Sequence, residues 1–468
     1  MRLTLESKIP RFDPTNGLVW LMVVVVAFVG GGVGFETFFL PLLAIILLAG
    51  FSHLTGTGRF GRELWTFLFV FTILTLLYVW NGWGGRYTDA IGDGRLWLES
   101  AQAIIAGGYF STPVESIRLH VSNVGVSYLY ALVLILGAGN TYALIVLHAL
   151  IIVLSASMTY KIAERVLDVR TAQLAYWMIA LQPEVLAWSS ILIRESLVVF
   201  LIVSFFYACI RFFDDGSRRH VFYLLIIVVA TYFVRASMIF GFIAMSFVCA
   251  SLVMLNPRRF VLAAAACVAL MAIGIGLTML PYTGDLRMAG IGTVLFSGAE
   301  EGVLAGTFEF GEISIVREVL GERYSVMNFY LWPLWVTAYW IYPFPKLWSG
   351  MYYANPMLTV VENTMGMINF ALLPFIVIGV LSIMQDSRIN SNRLMLIGST
   401  AIMATAMNMA GPFVVGRYRL VVTPFVILIC AYALTHMRMS QRVMVVALTP
   451  LAMVAFYVSY LLLKVLLS

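Results

Sequence analysis

The sequence predicts an all-α polytopic membrane protein, and three observations predict it. Of its 468 residues 62% are apolar and only 11% charged, with a mean hydropathy of +0.95, whereas a soluble domain carries about 25% charged residues because it must face water. The apolar residues collect in 13 runs, most of them separated by short polar breaks, and a helix needs roughly 20 such residues to cross a bilayer. The basic residues sit in ones and twos at the ends of these runs. The net charge of +6 is therefore a topology signal and no footprint for nucleic acid.

Taken in order, the runs occupy 18–33, 37–52, 64–81, 141–160, 172–188, 196–212, 221–234, 237–255, 260–280, 357–384, 394–410, 420–436 and 443–463. The first resembles a signal-peptide core, but no convincing small-residue cleavage site follows it and a second run comes close behind, so it reads as retained. All four cysteines, Cys209, Cys249, Cys267 and Cys430, fall inside apolar runs, where a thiol behaves as a small hydrophobe. Cytoplasmic loops hold the excess of Lys and Arg. An N-terminus placed inside puts 17 of the 29 basic residues in short cytoplasmic segments, among them Lys161, Arg165, Arg170, Arg211, Arg218, Arg219, Arg393, Arg438 and Arg442.

Two long connections, 82–140 and 281–356, then fall on the outer side, too long to be passive turns. Each contains an apolar stretch that cannot be a span without reversing the topology, Val124–Leu136 and the aromatic run Phe329–Trp348. Trp332, Trp335, Tyr339, Trp340, Tyr342 and Trp348 suit the headgroup layer. Both stretches are expected to lie flat at the outer face or to re-enter from it.

The residues able to carry chemistry lie in or beside these connections. Asp93, between Gly92 and Gly94 and just ahead of a short predicted helix, can approach a substrate closely, and Asp is also a favoured helix cap. Arg194, Arg235, Arg417 and Arg419 are predicted at the outer ends of spans, where an arginine can equally snorkel to headgroups. On an extended segment Arg417 and Arg419 would point to one side, with Tyr418 between them. Glu195 beside Arg194 is either an ion-pair partner or a catalytic acid or base. Asp89, Glu99 and Glu115 read as solvated loop charges, as do the glutamates of the second connection. The five histidines show no metal-ligand spacing, so no metal and no other cofactor is implied, and a divalent ion on loop carboxylates has no support.

The segment Gly92-Asp93-Gly94-Arg95-Leu96-Trp97, running on to Gly107-Gly108-Tyr109-Phe110, resembles the first outer loop of the GT-C superfamily of membrane glycosyltransferases. It is most similar to the type of the protein O-mannosyltransferases and the lipid A aminoarabinose transferase. Leu181-Gln182-Pro183-Glu184 with Trp188-Ser189-Ser190 and Ile193-Arg194-Glu195-Ser196 resembles that family's segment between two spans on the outer side, and Gly416-Arg417-Tyr418-Arg419-Leu420 followed by Pro424 resembles an Arg-Tyr-Arg motif of bacterial members. The sequence departs from the pattern in carrying Trp97 where Tyr is commoner, and in lacking an Asp-Glu pair at the first carboxylate. The resemblance implies a GT-C-like N-terminal module over 1–255, including the loop 82–140, and a more variable module over 256–468, including 281–356.

It further implies an inverting glycosyltransferase of the cell (inner or plasma) membrane, drawing a sugar from a polyprenyl-phosphate or polyprenyl-diphosphate donor. The acceptor would be a glycan, lipid or protein at the outer face. Such a reaction needs a carboxylate to take the acceptor's proton and cations to hold the leaving phosphate. Asp93 and Glu195 are the candidates for the first role. Arg194, Arg235, Arg417 and Arg419 are those for the second, with Asp89, Trp97 and Tyr418 against the substrate. A polymerase or ligase of polyprenyl-diphosphate-linked oligosaccharides is the alternative. A non-enzymatic carrier of such glycans ranks last, because the spans read as nearly free of ionisable residues.

Overall fold

The computed structural model describes residues 35–55, 60–82, 92–108, 124–215, 217–235, 238, 241–243, 245–246, 340–341, 356–386, 391–409 and 416–467. The expected spans 18–33 and 260–280, most of 237–255, and the acidic stretch of the second connection lie outside them. The described chain is helical throughout its regular elements: α1 (Phe35–Thr55), α2 (Phe60–Gly82), α3 (Gly92–Gly107), α4 (Val124–Leu136), α5 (Tyr142–Val166), α6 (Val169–Ala180), α7 (Pro183–Ser190), α8 (Glu195–Asp215), α9 (Arg218–Arg235), α10 (Pro356–Gln385), α11 (Ser391–Met409), a 3-10 turn η1 (Gly416–Val421), α12 (Thr423–His436) and α13 (Met439–Leu467). Among the described residues five helices, α2, α5, α8, α10 and α13, are long and apolar enough to cross a membrane. The chain is a multi-pass helical membrane protein. A backbone in hydrocarbon must satisfy its own hydrogen bonds, and a helix does so within one segment.

Helices α5, α8 and α12 form the interior. Nearly every residue of α12 from Thr423 to Ala433 is buried, and α8 packs Phe205 face to face with Phe242 at 4.2 Å and Phe206 edge-on to Phe425 at 5.1 Å on α12. At the margin, α13 exposes Val443, Val446, Leu451, Val454 and Leu462, a surface suited to lipid. Its ring contact inward is Phe456 with Phe370 at 5.4 Å.

Two expectations are corrected here. The run 172–188 is not one span: it breaks into α6 and α7 at Gln182–Pro183. Proline disfavours the helical conformation in the residue before it, and Gln182 is extended (ψ 112), its side chain accepting from the Glu184 N–H at 3.1 Å. Pro183 then takes the first helical position, where its missing donor is harmless. The second concerns Trp340, expected to suit an amphipathic headgroup layer, whose ring is buried against protein. Its indole donates to the Asn369 carbonyl at 3.2 Å, and the Asn369 amide donates back to the Trp340 carbonyl at 3.0 Å. Asn369 lies about 20 Å along α10 from Pro356 at 1.5 Å per residue, so Trp340 packs against the middle of that helix. Val124–Leu136 forms a helix of those bounds, α4, with Val126, Tyr130 and Ala131 fully buried.

Three of the basic residues expected on one membrane side, Arg165, Arg211 and Arg393, gather at one end of the bundle. Arg165 pairs with Asp214 and with Asp215 at 3.5 Å, Arg211 with Asp215 at 2.8 Å, and Asn392 with Asp214 at 3.1 Å. Arg393 bonds the last turn of α5 through the Val166 carbonyl at 3.1 Å and pairs with Asp386. His220 lies 3.4 Å from Asp215. Burial foremost, with Arg211 and Arg219 beside it, nevertheless holds its imidazolium below the ordinary histidine range.

Close helix approach depends on glycines. A Cβ added at Gly379 on α10 would lie 2.5 Å from the Ile429 carbonyl oxygen on α12, and one at Gly125 on α4 would lie 2.4 Å from Phe233 Cβ on α9. At Gly50 nothing stands within 4 Å. Gly379→Ala is therefore expected to destabilise by about 1–3 kcal/mol through overpacking, read as a lower melting midpoint in detergent. Gly50→Ala should leave that midpoint unchanged or slightly raised.

Candidate functional site

The segment from Trp188 to Ser196 joins α7 to α8 and brings several predicted residues together. Its turn is unusual in that Leu192 has a left-handed backbone (φ +58), which costs a non-glycine residue roughly 1–2 kcal/mol. Three buried side chains hold it. Tyr130 on α4 donates its hydroxyl to the Leu192 carbonyl at 3.0 Å. With that proton committed, the phenolic oxygen accepts from His148 Nε2 on α5 at 2.7 Å. His148 Nδ1 in turn accepts from the Ser196 hydroxyl, 2.6 Å away on the first turn of α8. Tyr130, His148, Leu192 and Ser196 are all fully buried.

Around this turn the predicted groups converge. A Cβ at Gly94 would lie 2.3 Å from the Ile191 carbonyl oxygen. The Gly92-Asp93-Gly94 start of α3 thus rests directly on the turn, and only glycine permits the approach. One turn on, Trp97 is buried at 1% exposure, and the Arg194 guanidinium carbon lies 5.2 Å from its ring centroid, within cation–π range. Arg194 Nη1 also donates to the Val234 carbonyl at 2.9 Å, which places Arg235, the last residue of α9, beside it. Glu195 opens α8 and is buried. Asp93, Trp97, Arg194, Glu195 and Arg235, drawn from three distant stretches, therefore meet at one end of the bundle. Only the backbone of Asp93 is described, and Asp89 lies outside the described residues.

Arg417 and Arg419 are arranged differently from the expectation. Gly416–Val421 is a 3-10 turn and no extended segment. At three residues per turn, side chains two apart diverge by about 120°. The side chains of Arg417 and Tyr418 lie outside the described residues. Arg419 is fully buried. Its Nε donates to Glu184 Oε1 at 2.6 Å, its Nη2 bonds the same oxygen and also Glu362 Oε2 at 3.2 Å, and its Nη1 reaches the Trp340 carbonyl at 3.5 Å. As the molecule stands, these bonds direct Arg419 to two carboxylates, whatever further contacts it makes.

Glu362 lies on a predicted span, which corrects the expectation that the spans carry almost no ionisable groups. Glu63, one residue ahead of the expected span 64–81 but within α2, is also buried and accepts from the Ser157 hydroxyl at 3.1 Å, beside an Arg62 whose guanidinium is held 4.4 Å and 4.0 Å from the Tyr160 and Tyr176 ring centroids. Glu184, Glu362, His148 and Tyr130 were not assigned roles from sequence. A carboxylate inside an apolar run was the available signal for Glu362, because such a group persists there only with partners. Among the described residues no three His, Cys, Asp or Glu side chains are grouped as metal ligands.

Fold and site together define a multi-pass helical membrane protein with two polar centres at opposite ends of the short helix α7. No protein-family model matches the chain, and no curated protein is similar to it in sequence. Among solved structures it is similar to the archaeal oligosaccharyltransferase AglB from Archaeoglobus fulgidus, solved in complex with an inhibitory peptide and a dolichol-phosphate, at 16% identity and a TM-score of 0.47 over 86% of this chain and 54% of that one. The chain thus spans about half the length of that protein. A likeness at this level concerns the course of the chain and assigns no residue a role.

The two arginines of η1 should separate cleanly. Arg419→Met leaves buried Glu184 and Glu362 without this cation and is expected to cost about 3–5 kcal/mol, seen as loss of monodisperse protein after detergent extraction. Arg417→Ala should extract normally.

Proposed function

We propose that the chain is an inverting glycosyltransferase of the GT-C type, moving a sugar from a polyprenyl-phosphate or polyprenyl-diphosphate donor to a cell-envelope acceptor at the outer face of the membrane. The observation that carries this reading is the seating of the Gly-Asp-Gly turn on the Ile191–Ile193 segment, which puts the residue after Asp93 against the turn that leads into Arg194, itself bonded to the residue before Arg235. A carboxylate and two guanidinium groups at one end of a bundle of apolar helices suit a substrate whose tail is lipid and whose head is a sugar phosphate.

In this mechanism Asp93 accepts the acceptor hydroxyl's proton as that oxygen attacks the anomeric carbon. The new C–O bond forms as the bond to the phosphate oxygen breaks on the opposite side, inverting the centre. Negative charge grows on the departing phosphate, and Arg194, Arg235 and Arg417 bind it, their planar forks matching phosphate oxygens. Trp97 holds Arg194 from beneath; Asp89 and Tyr418 contact the substrate; Glu195 is the second candidate for proton transfer. Arg419 supports the site through its carboxylate partners.

A non-enzymatic carrier of lipid-linked glycans is the second reading. The buried Glu184–Arg419–Glu362 triad favours it, since ionisable groups at bilayer depth are costly and mark transport paths. Purified protein in detergent micelles separates the two, because a micelle has no second compartment to which cargo could be moved. Mass spectrometry of envelope glycans and lipids with and without the gene identifies the product, and the micelle assay then follows its formation. Asp93→Asn should abolish product while the protein extracts and melts normally. Full turnover in this variant removes Asp93 from the mechanism, and no product from the wild-type protein with its identified donor and acceptor supports the carrier.

A further inference from the structure

The Tyr130–His148–Ser196 network ends on the one strained residue of the turn that carries Arg194. It has no solvent access, so it does not touch a substrate itself. Its hydrogen bonding leaves one consistent assignment. Tyr130 gives its proton to the Leu192 carbonyl, so the His148 proton sits on Nε2 and points at the phenolic oxygen. Nδ1 is then the bare acceptor for the Ser196 hydroxyl. This neutral tautomer satisfies both ring nitrogens, the phenol and the serine with none left over.

The network spans the turn from both sides. Tyr130 grips Leu192 before Arg194, and Ser196 anchors the chain after it, so Arg194 and Glu195 lie between two points fixed to the same imidazole. Backbone bonds tighten the near side, with Leu192 N–H to the Ser189 carbonyl at 3.1 Å and Ile193 N–H to the Trp188 carbonyl at 3.2 Å. A left-handed leucine persists only where its surroundings over-determine it. Relaxing it would swing the following residues, and Arg194 could not then both lie over Trp97 and reach the Val234 carbonyl.

We propose that His148 is a positioning residue: acting through Tyr130 and Ser196, it fixes the Leu192 turn so that Arg194 is pre-aligned to bind the phosphate of a polyprenyl-linked substrate. This rests on the phosphate-binding role of Arg194 given above. The test measures the dissociation constant of a polyprenyl monophosphate for the full chain in nanodiscs, for Ser196→Ala, Ser196→Thr, Tyr130→Phe and His148→Gln, each alone and in an Arg194→Ala background. Ser196→Ala and His148→Gln are expected to weaken binding about tenfold, the equivalent of roughly 1.4 kcal/mol, and Ser196→Thr, which keeps the hydroxyl, to restore it. In the Arg194→Ala background the same changes should add nothing, because residues acting through one group are not additive. Undiminished affinity in Ser196→Ala and His148→Gln, or effects that persist fully without Arg194, overturns the proposal. So does failure of Ser196→Ala, Tyr130→Phe and His148→Gln alike to fold, which assigns the network to the scaffold. If Arg194→Ala itself binds as tightly as wild type, the phosphate-binding reading fails first, and that outcome is distinguishable from the others.

Discussion

Charge buried among apolar helices must be neutralised where it stands, and that constraint organises this molecule. Arg419 meets it by joining Glu184 of α7, Glu362 of α10 and the Trp340 carbonyl to its own short 3-10 turn. Four stretches of chain, separated by as many as 235 positions, are thereby obliged to meet. Apolar packing in a bilayer supplies little such direction, because lipid tails are as apolar as leucine. An ion-paired centre has few satisfactory geometries, and losing one partner leaves the other exposed to the full desolvation penalty. The triad therefore specifies how the C-terminal helices dock on the N-terminal ones more sharply than any leucine contact could.

Helix α7 carries this constraint to the candidate site. Pro183 starts it and Glu184, its second residue, is locked by Arg419. About 10 Å further along at 1.5 Å per residue the helix ends in the Leu192 turn. Both ends of a two-turn helix are thus pinned by polar networks, one ionic and one neutral. A segment of eight residues has little helical stability of its own, so its position is set by these anchors. The turn that presents Arg194 inherits that rigidity, as the proposed role of Arg194 at a developing charge requires.

The helices were legible in the sequence because their signal is composition summed over many residues. Glu195–Asp215 and Pro356–Gln385 begin and end within three positions of the apolar runs, and Tyr142–Val166 starts with its run and continues six residues past it. Even Val124–Leu136 was visible as a stretch that could not span, and the helix matches those bounds. What composition could not supply was partner choice. Nothing local to Arg419 distinguishes a guanidinium facing a phosphate from one clamped by carboxylates that are 235 and 57 positions away. The break at Gln182–Pro183 was readable, since proline punctuates a helix for a local reason, yet the apolar residues on either side masked it. His148 and Tyr130 were illegible for a related reason: a lone histidine in an apolar run has no local partner, and its role appears only when α4 and α5 are laid side by side.

The glycines show how the two levels meet. In the sequence Gly94 reads as one of two glycines that let Asp93 approach a substrate closely, just ahead of a short helix. In the folded chain it lies inside α3, and the close approach is to protein: the Ile191 carbonyl occupies the space a side chain would need. Missing volume, more than backbone flexibility, is what the position provides. The same carbonyl belongs to the turn that Tyr130 and His148 hold, so any displacement of the turn is felt at once by the start of α3 and by Asp93. Steric contact on one side and the Arg194–Trp97 contact on the other fix α3 to this turn at two points about one helical turn apart. Two fixed points set the direction of a helix as well as its place. The relation between the candidate carboxylate and the candidate phosphate ligand is therefore a property of packing at the Leu192 turn, which explains why so much buried polar structure is devoted to holding one leucine in a conformation it would otherwise avoid.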